Sequence, residues 1–434
     1  MRNRPSDITN RRVVRSAMEE QKILRYAQND TMIFITERRC ARRLRLLRMS
    51  FFSPKKSRII YQRSSHLCYN VFYTNTEDDE DERNDIDMAE TLLCLVGETN
   101  VNRANPETAF TKVQPLLSKS DVLFGHLECP VIDNPSENDD MPDLPYKRGW
   151  KFSTPDNISA WKSAGFDAVG CASNVSGSAE SSVRTIEELD KLGIAHAGLG
   201  RNIEDAHKPA IVTKDGVSIG FLSYTSVFYG YAVPALPQRP GAATVKAHMS
   251  IIPSWRSDEM PGAPPEVKTW LDAVEKAKML EDIAALRSQV DYVVLSCHWG
   301  VSSSEKAQDY QIELAHAAID AGADVIMGHH PHRPQGVEIY NGKPIFYSMG
   351  NFAFDWWFVR NWLKEGILGY VTFTGNGISR ISFAPVCRED DSNDVAPVSC
   401  DSEKGQEIIN TVRTLSEPFG TKFTVEGDEV VISV

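Results

Sequence analysis

Gly322-Ala323-Asp324-Val325-Ile326-Met327-Gly328-His329-His330-Pro331-His332 is the stretch on which the fold turns. An apolar run ends in glycine, and three of the chain's ten histidines then fall within four positions. That is the pattern of a buried strand whose carboxyl end opens into a loop, where open α/β sheets collect their ligands. Imidazole is the commonest transition-metal side-chain ligand, and an H-x-H spacing at such a turn aims two rings at one place. Metal or anion binding is the functional reading; a capped, hydrogen-bonded loop is the structural one.

Four more apolar runs end in the same way. Residues 292–296 lead into Cys297-His298-Trp299-Gly300, and residues 92–96 into Gly97-Glu98. Residues 122–124 lead into Gly125-His126-Leu127-Glu128, and 168–171 into Ala172-Ser173-Asn174. Five strand ends therefore offer Glu98, His126, Glu128, Asn174, His298, His330 and His332. This nitrogen and oxygen set suits one or two divalent transition metals, Mn, Fe or Zn.

Between these runs lie amphipathic stretches predicted as helices over 158–164, 179–192, 265–288 and 305–321. Further strands are predicted over 219–223, 336–340 and 345–348, and a hairpin joins 370–373 to 381–383 through Gly375-Asn376-Gly377. The βα rhythm is that of a layered α/β domain. Residues 225–265 are rich in proline and aromatic residues and read as a lid insertion. The domain proper is expected over 88–390, with a C-terminal extension carrying a short β-hairpin over 391–434.

With 41 % hydrophobic and 24 % charged residues and a mean hydropathy of −0.32, the 434-residue chain has the composition of a globular protein. No apolar run reaches the roughly 18 residues a membrane span needs. The net charge of −12 is unevenly spread. Residues 1–75 carry +12, residues 76–87 carry −7, and the remainder carries −17. An acidic body argues against nucleic-acid binding, which needs cations facing phosphate. Residues 1–87 read as a disordered tail or as sequence ahead of a true start at Met88; a basic arm is the third reading. No secretory signal is seen, and the eight cysteines are scattered without a CxxC pair, which together point to the cytoplasm. The oligomeric state is not legible.

In their order, the blocks ending in His298-Trp299-Gly300, in Gly328-His329-His330-Pro331-His332 and in Tyr347-Ser348-Met349-Gly350-Asn351-Phe352 resemble the CapA family of poly-γ-glutamate capsule-synthesis proteins. Ser120–Glu128 and Trp161–Asp167 extend the likeness, which runs from about Leu92 to Asp355. The family's domain is similar to calcineurin-like metallophosphoesterases, so the resemblance implies a four-layer αββα sandwich. It implies metal on Glu98, His126, Glu128, Asn174, His298, His330 and His332, catalytic roles for Asn174 and His329, and a phosphoester or anionic polymer substrate. Three departures stand out. Glu98 replaces an aspartate, His126 an asparagine, and Val175 a histidine that in the phosphoesterases assists the leaving group.

Two readings follow. One is a metal-dependent hydrolase in which Lys147, Arg148 or Lys151 holds an anionic substrate; the other is a degenerate relative that binds a polyanion or partner without catalysis. Ser348, Asn351 and Asp355 are expected to orient His330 or His332. Trp299, Trp356 and Trp357 are expected in core packing, and Cys129, Cys171 and Cys297 as buried small hydrophobes.

Overall fold

The computed structural model describes residues 90–133 and 151–433, apart from 177, 231–232, 254, 261, 264, 357–361 and 376. It also describes the strands Ile23–Gln28, Thr31–Glu37 and Leu47–Ser50. Those three form an antiparallel sheet in chain order, inside a separate unit, Met1–Asn84. The remainder of residues 1–87, and the tail expectation with it, lies outside the described residues.

The second unit, Asp85–Val434, is built on two sheets. The ten-stranded sheet runs Phe423–Glu426, Glu429–Ile432, Gly377–Arg388, Glu365–Thr374, Thr91–Asn100, Val122–Leu127, Ala168–Gly170 and Ala195–Ala197. Asn351–Phe354 lies beside Thr91–Asn100, and Val395–Pro397 beside Gly377–Arg388. The six-stranded sheet runs Val337–Tyr340, Lys343–Phe346, Val325–His329, Tyr292–His298, Val217–Thr225 and Ala210–Lys214. Its strands Lys343–Phe346, Val325–His329, Tyr292–His298 and Val217–Thr225 are parallel.

Parallel strands covered on both faces are apolar throughout rather than alternating. Leu93 and Leu95 point into the core between the sheets, whereas Cys94 and Val96 pack with Phe110, Ile158, Trp161 and Leu189 from helices outside. In the other sheet Val294 joins the inter-sheet core, while Val293 and Leu295 pack on Met279, Ile283 and Leu314. Phe124 and Phe221 stack across the gap with ring centroids 4.4 Å apart. Helices, sheet, sheet, helices is the four-layer αββα arrangement.

The helices start and stop where polar side chains and glycines permit. Thr154 and Ser178 each accept a backbone N–H at 3.2 Å to open Pro155–Ala164 and Ala179–Leu192, and both helices end on a left-handed glycine. The single helix expected over 265–288 is instead two elements. Glu266–Leu271 is a strand paired antiparallel with Ala247–Ile252, and the helix Ala273–Arg287 begins behind its cap, Asp272. Val267, Thr269 and Trp270 favour a pleated surface, and Asp272 is a start signal within the expected span. The helix expected from 305 starts later, as Asp309–Asp320, behind a Gln308/Gln311 capping box.

Within 225–265, Val233, Ala235, Ala242, Ala243 and Val245 are buried, while Met249 and Ile251 are exposed. Glu365–Thr374 and Gly377–Arg388 form the expected hairpin. The chain end adds a second hairpin, Phe423–Glu426 with Glu429–Ile432, to the edge of the large sheet. Among the described residues no helix is long and apolar enough to cross a membrane.

Candidate metal centre

Strand register sets the candidate ligands level with one another. Glu98 pairs with His126, His126 with Gly170, and Asn351 with Glu98 in the large sheet; His298 pairs with His329 in the small one. The carboxyl ends of strands from both sheets thus meet. Two glycines allow the approach: a Cβ at Gly97 would lie 2.1 Å from the Gly350 carbonyl oxygen, and one at Gly328 2.1 Å from that of Tyr347. His330 and His332 adopt positive φ, 95° and 59°, which is uncommon for non-glycine residues.

Glu98, His126, Glu128, His298 and His329 are fully buried, and His330 and His332 nearly so. Three overlapping groups place their ligand atoms within 4.8 Å of one another: His126, His298 and His329; Glu128, His330 and His332; and Glu98, Glu128 and His298. Asn174 Oδ1 lies 2.7 Å from His298 Nε2, and His298 Nδ1 lies 3.1 Å from His329 Nδ1. The other His329 nitrogen, Nε2, lies 2.7 Å from Ser296 Oγ. The backbone N–H of His330 donates to Glu98 Oε1, and His332 Nδ1 lies against Glu98 Oε2 while also facing Asn351 Oδ1 at 2.9 Å.

Several buried atoms make no hydrogen bond: Glu128 Oε2, both nitrogens of His126, and Nδ1 of His330. Each such atom costs about 1–3 kcal/mol if left unsatisfied. Burial holds the imidazoles of His126, His298, His329 and His330 well below their ordinary pKa and lowers His332 to about 4. The rings are therefore neutral, with lone pairs to give. Burial pushes Glu98 up to about 7, and burial together with the Glu98 charge does the same to Glu128. Neutral imidazoles beside carboxylates are the nitrogen and oxygen donors that a divalent transition metal takes. The residues fit a divalent metal.

Of the expected substrate cations, Lys147 and Arg148 lie outside the described residues. Lys151 is buried, with Nζ 2.5 Å from Glu128 Oε1. Asn351 reaches His332, but Ser348 Oγ accepts the Gly350 N–H at 3.3 Å. Asp355 is turned away toward Arg103, which it binds through both carboxylate oxygens, and Asn393 Nδ2 donates to it at 2.8 Å. Val175 is buried and brings no polar group. Trp299 is core, its Nε1 donating to the Tyr347 carbonyl at 2.8 Å; Trp357 lies outside the described residues. Cys129, Cys171 and Cys297 are buried free thiols. Sequence reasoning missed Ser296 as the partner of His329 and Lys151 as the partner of Glu128. A serine two residues before His298 on a strand shares its face, and that was the available signal.

The family model of the bacterial capsule synthesis protein PGA_cap matches residues 74–356. The chain is 30 % identical over 288 residues to "Capsule biosynthesis protein CapA" of Bacillus anthracis, a match spanning 66 % of this chain and 62 % of that protein. It is 28 % identical over 335 residues to "PGA biosynthesis protein CapA" of Bacillus subtilis, spanning 76 % of each. Among solved structures, TT1561 of Thermus thermophilus aligns over 64 % of this chain and 94 % of its own, with 9 % identity and a TM-score of 0.33. With the motifs at strand ends and the family match over most of the chain, this protein belongs to the bacterial capsule synthesis protein PGA_cap family.

Proposed function

We propose that this pocket holds one or two divalent transition metal ions and hydrolyses a phosphoester or a related bond, as part of building a capsule or exopolymer of the poly-γ-glutamate type. The observation that carries the reading is the convergence of unpartnered, buried carboxylate and imidazole atoms from both sheets. Bound metal would activate water and polarise a phosphoryl oxygen. Glu98, His126, Glu128, His298, His330 and His332 would hold it. Ser296 fixes the ring of His329 and Asn351 that of His332, and Asn174 holds His298. The capsule role draws on the names of the relatives and the family.

Val175 favours a second reading, a non-catalytic relative that binds a polyanion. Protonating a leaving group is worth about 10²–10⁴ in rate, and valine cannot do it. The test is elemental mass spectrometry of the full chain beside a His330→Ala/His332→Ala double variant, followed by assay on a panel of phosphomonoesters and phosphodiesters. Bound metal lost in the variant, with metal-dependent hydrolysis, supports the enzyme. Bound metal without turnover favours the binding protein. An absence of bound metal after incubation with Mn, Fe and Zn salts overturns the metal-centred reading.

A further inference from the structure

Within the centre, two of the ligand groups share no residue. Glu128, His330 and His332 form one, with a carboxylate among them; His126, His298 and His329 form the other, with imidazole only. His126 is also a departure from the family pattern, an imidazole in place of an amide. The three rings stand on the strands Val122–Leu127, Tyr292–His298 and Val325–His329, so both sheets contribute. His126 lies against His329, ring centroids 3.5 Å apart, and its centroid is 5.1 Å from that of His298. Its two nitrogens are buried without a hydrogen-bond partner. His298 Nδ1 and His329 Nδ1 face each other at 3.1 Å, close to the ~3.4 Å that separates two nitrogens on one tetrahedral zinc. Such a pair shares either a proton or an ion, and a shared proton would leave His126 unpartnered. The other nitrogens of the pair already have neutral neighbours, Asn174 Oδ1 and Ser296 Oγ, each at 2.7 Å. Carboxylate oxygens of Glu98 and Glu128 stand back from His298, at 3.9 and 4.0 Å.

We infer that His126, His298 and His329 form an all-nitrogen metal site that selects zinc over manganese, beside a mixed nitrogen and oxygen site on Glu128, His330 and His332 that accepts either. This deepens the reading above and rests on it: the centre takes two ions, and His329 is a ligand to one of them. Imidazole suits Zn²⁺, which nitrogen donors hold more tightly than Mn²⁺, whereas Mn²⁺ is held where carboxylate oxygen contributes. Three imidazoles without a carboxylate therefore discriminate between the two metals, and a set that includes Glu128 does so less. Ser296 and Asn174 are then the outer partners that aim His329 and His298.

The full chain, stripped of metal and dialysed against Zn²⁺ alone, should retain two equivalents by elemental mass spectrometry; dialysed against Mn²⁺ alone, it should retain one. His126→Ala and His329→Ala should each lower the zinc from two equivalents to one and keep the single manganese. Circular dichroism checks that each variant is folded, and the two loadings of the unmodified chain give an answer even if neither is. A single equivalent of zinc, or two of manganese, in the unmodified chain overturns the inference while leaving the metal centre standing. A folded variant that still holds two zinc ions overturns it too, as does one that loses the manganese along with the zinc. No metal of either kind in the unmodified chain fails the underlying reading and this inference together.

Discussion

Ser296 and Asn351 are single side chains that decide how the imidazoles are presented. Each faces the ring nitrogen of a site histidine, His329 at 2.7 Å and His332 at 2.9 Å, and so sets its tautomer and aim. Outer partners of this kind are worth about 10- to 100-fold in metal affinity. Asn351→Ala should weaken metal binding by about that factor without unfolding the chain, as read by isothermal titration calorimetry. Gly97 acts by having no side chain. Gly97→Ala puts a carbon 2.1 Å from the Gly350 carbonyl, so a strand must shift, at a cost of about 1–3 kcal/mol or more. Urea denaturation should report that loss, together with reduced metal retention, because the shifted strand carries Glu98. These residues are unevenly legible in the sequence. Asn351 stands out because it follows a strand near the histidines, whereas Ser296 reads as an ordinary strand residue. Asp355 reads as a partner of the histidines, yet Arg103, far away in sequence, claims both its carboxylate oxygens.

At the scale of elements, strands that end in glycine and a ligand were readable because burial on both faces makes them continuously apolar. The residues 265–288 were not, since a helix and a strand that meet without a break share one polar and apolar texture. Asp272 is what divides them, accepting the N–H groups of Val274 and Glu275 at 3.0 and 3.1 Å. The contact between sheets rests on bulky apolar side chains. Truncating one side of the Phe124 and Phe221 stack, as Phe221→Ala, should cost about 3–5 kcal/mol of stability, read by urea denaturation. Thr154→Ala, which removes the cap of Pro155–Ala164, should cost only about 0.5–2 kcal/mol.

For the whole molecule, the buried carboxylates link stability to pH. Glu98 and Glu128 ionise near 7 in the folded chain against about 4.5 when unfolded, chiefly because burial disfavours the charge. Folding therefore favours their protonated forms. Their contribution is complete below the unfolded value and is lost as pH rises through about 7. Metal-free protein should show this as a melting temperature that falls between about pH 4.5 and 7, and added Mn²⁺ or Zn²⁺ should raise it most at the upper end. A melting curve insensitive to metal at the upper end of that range would contradict the candidate centre. Taken by itself, the sequence determined the layered α/β class, the strand ends and the chemical kind of the candidate ligands, because apolar periodicity and glycine placement are local properties. Only the tertiary structure decided which candidate ligands share a pocket, that Lys151 lies among them, and that Asp355 does not. Those depend on which strands pair and in what register, and such contacts join residues that the chain order keeps far apart.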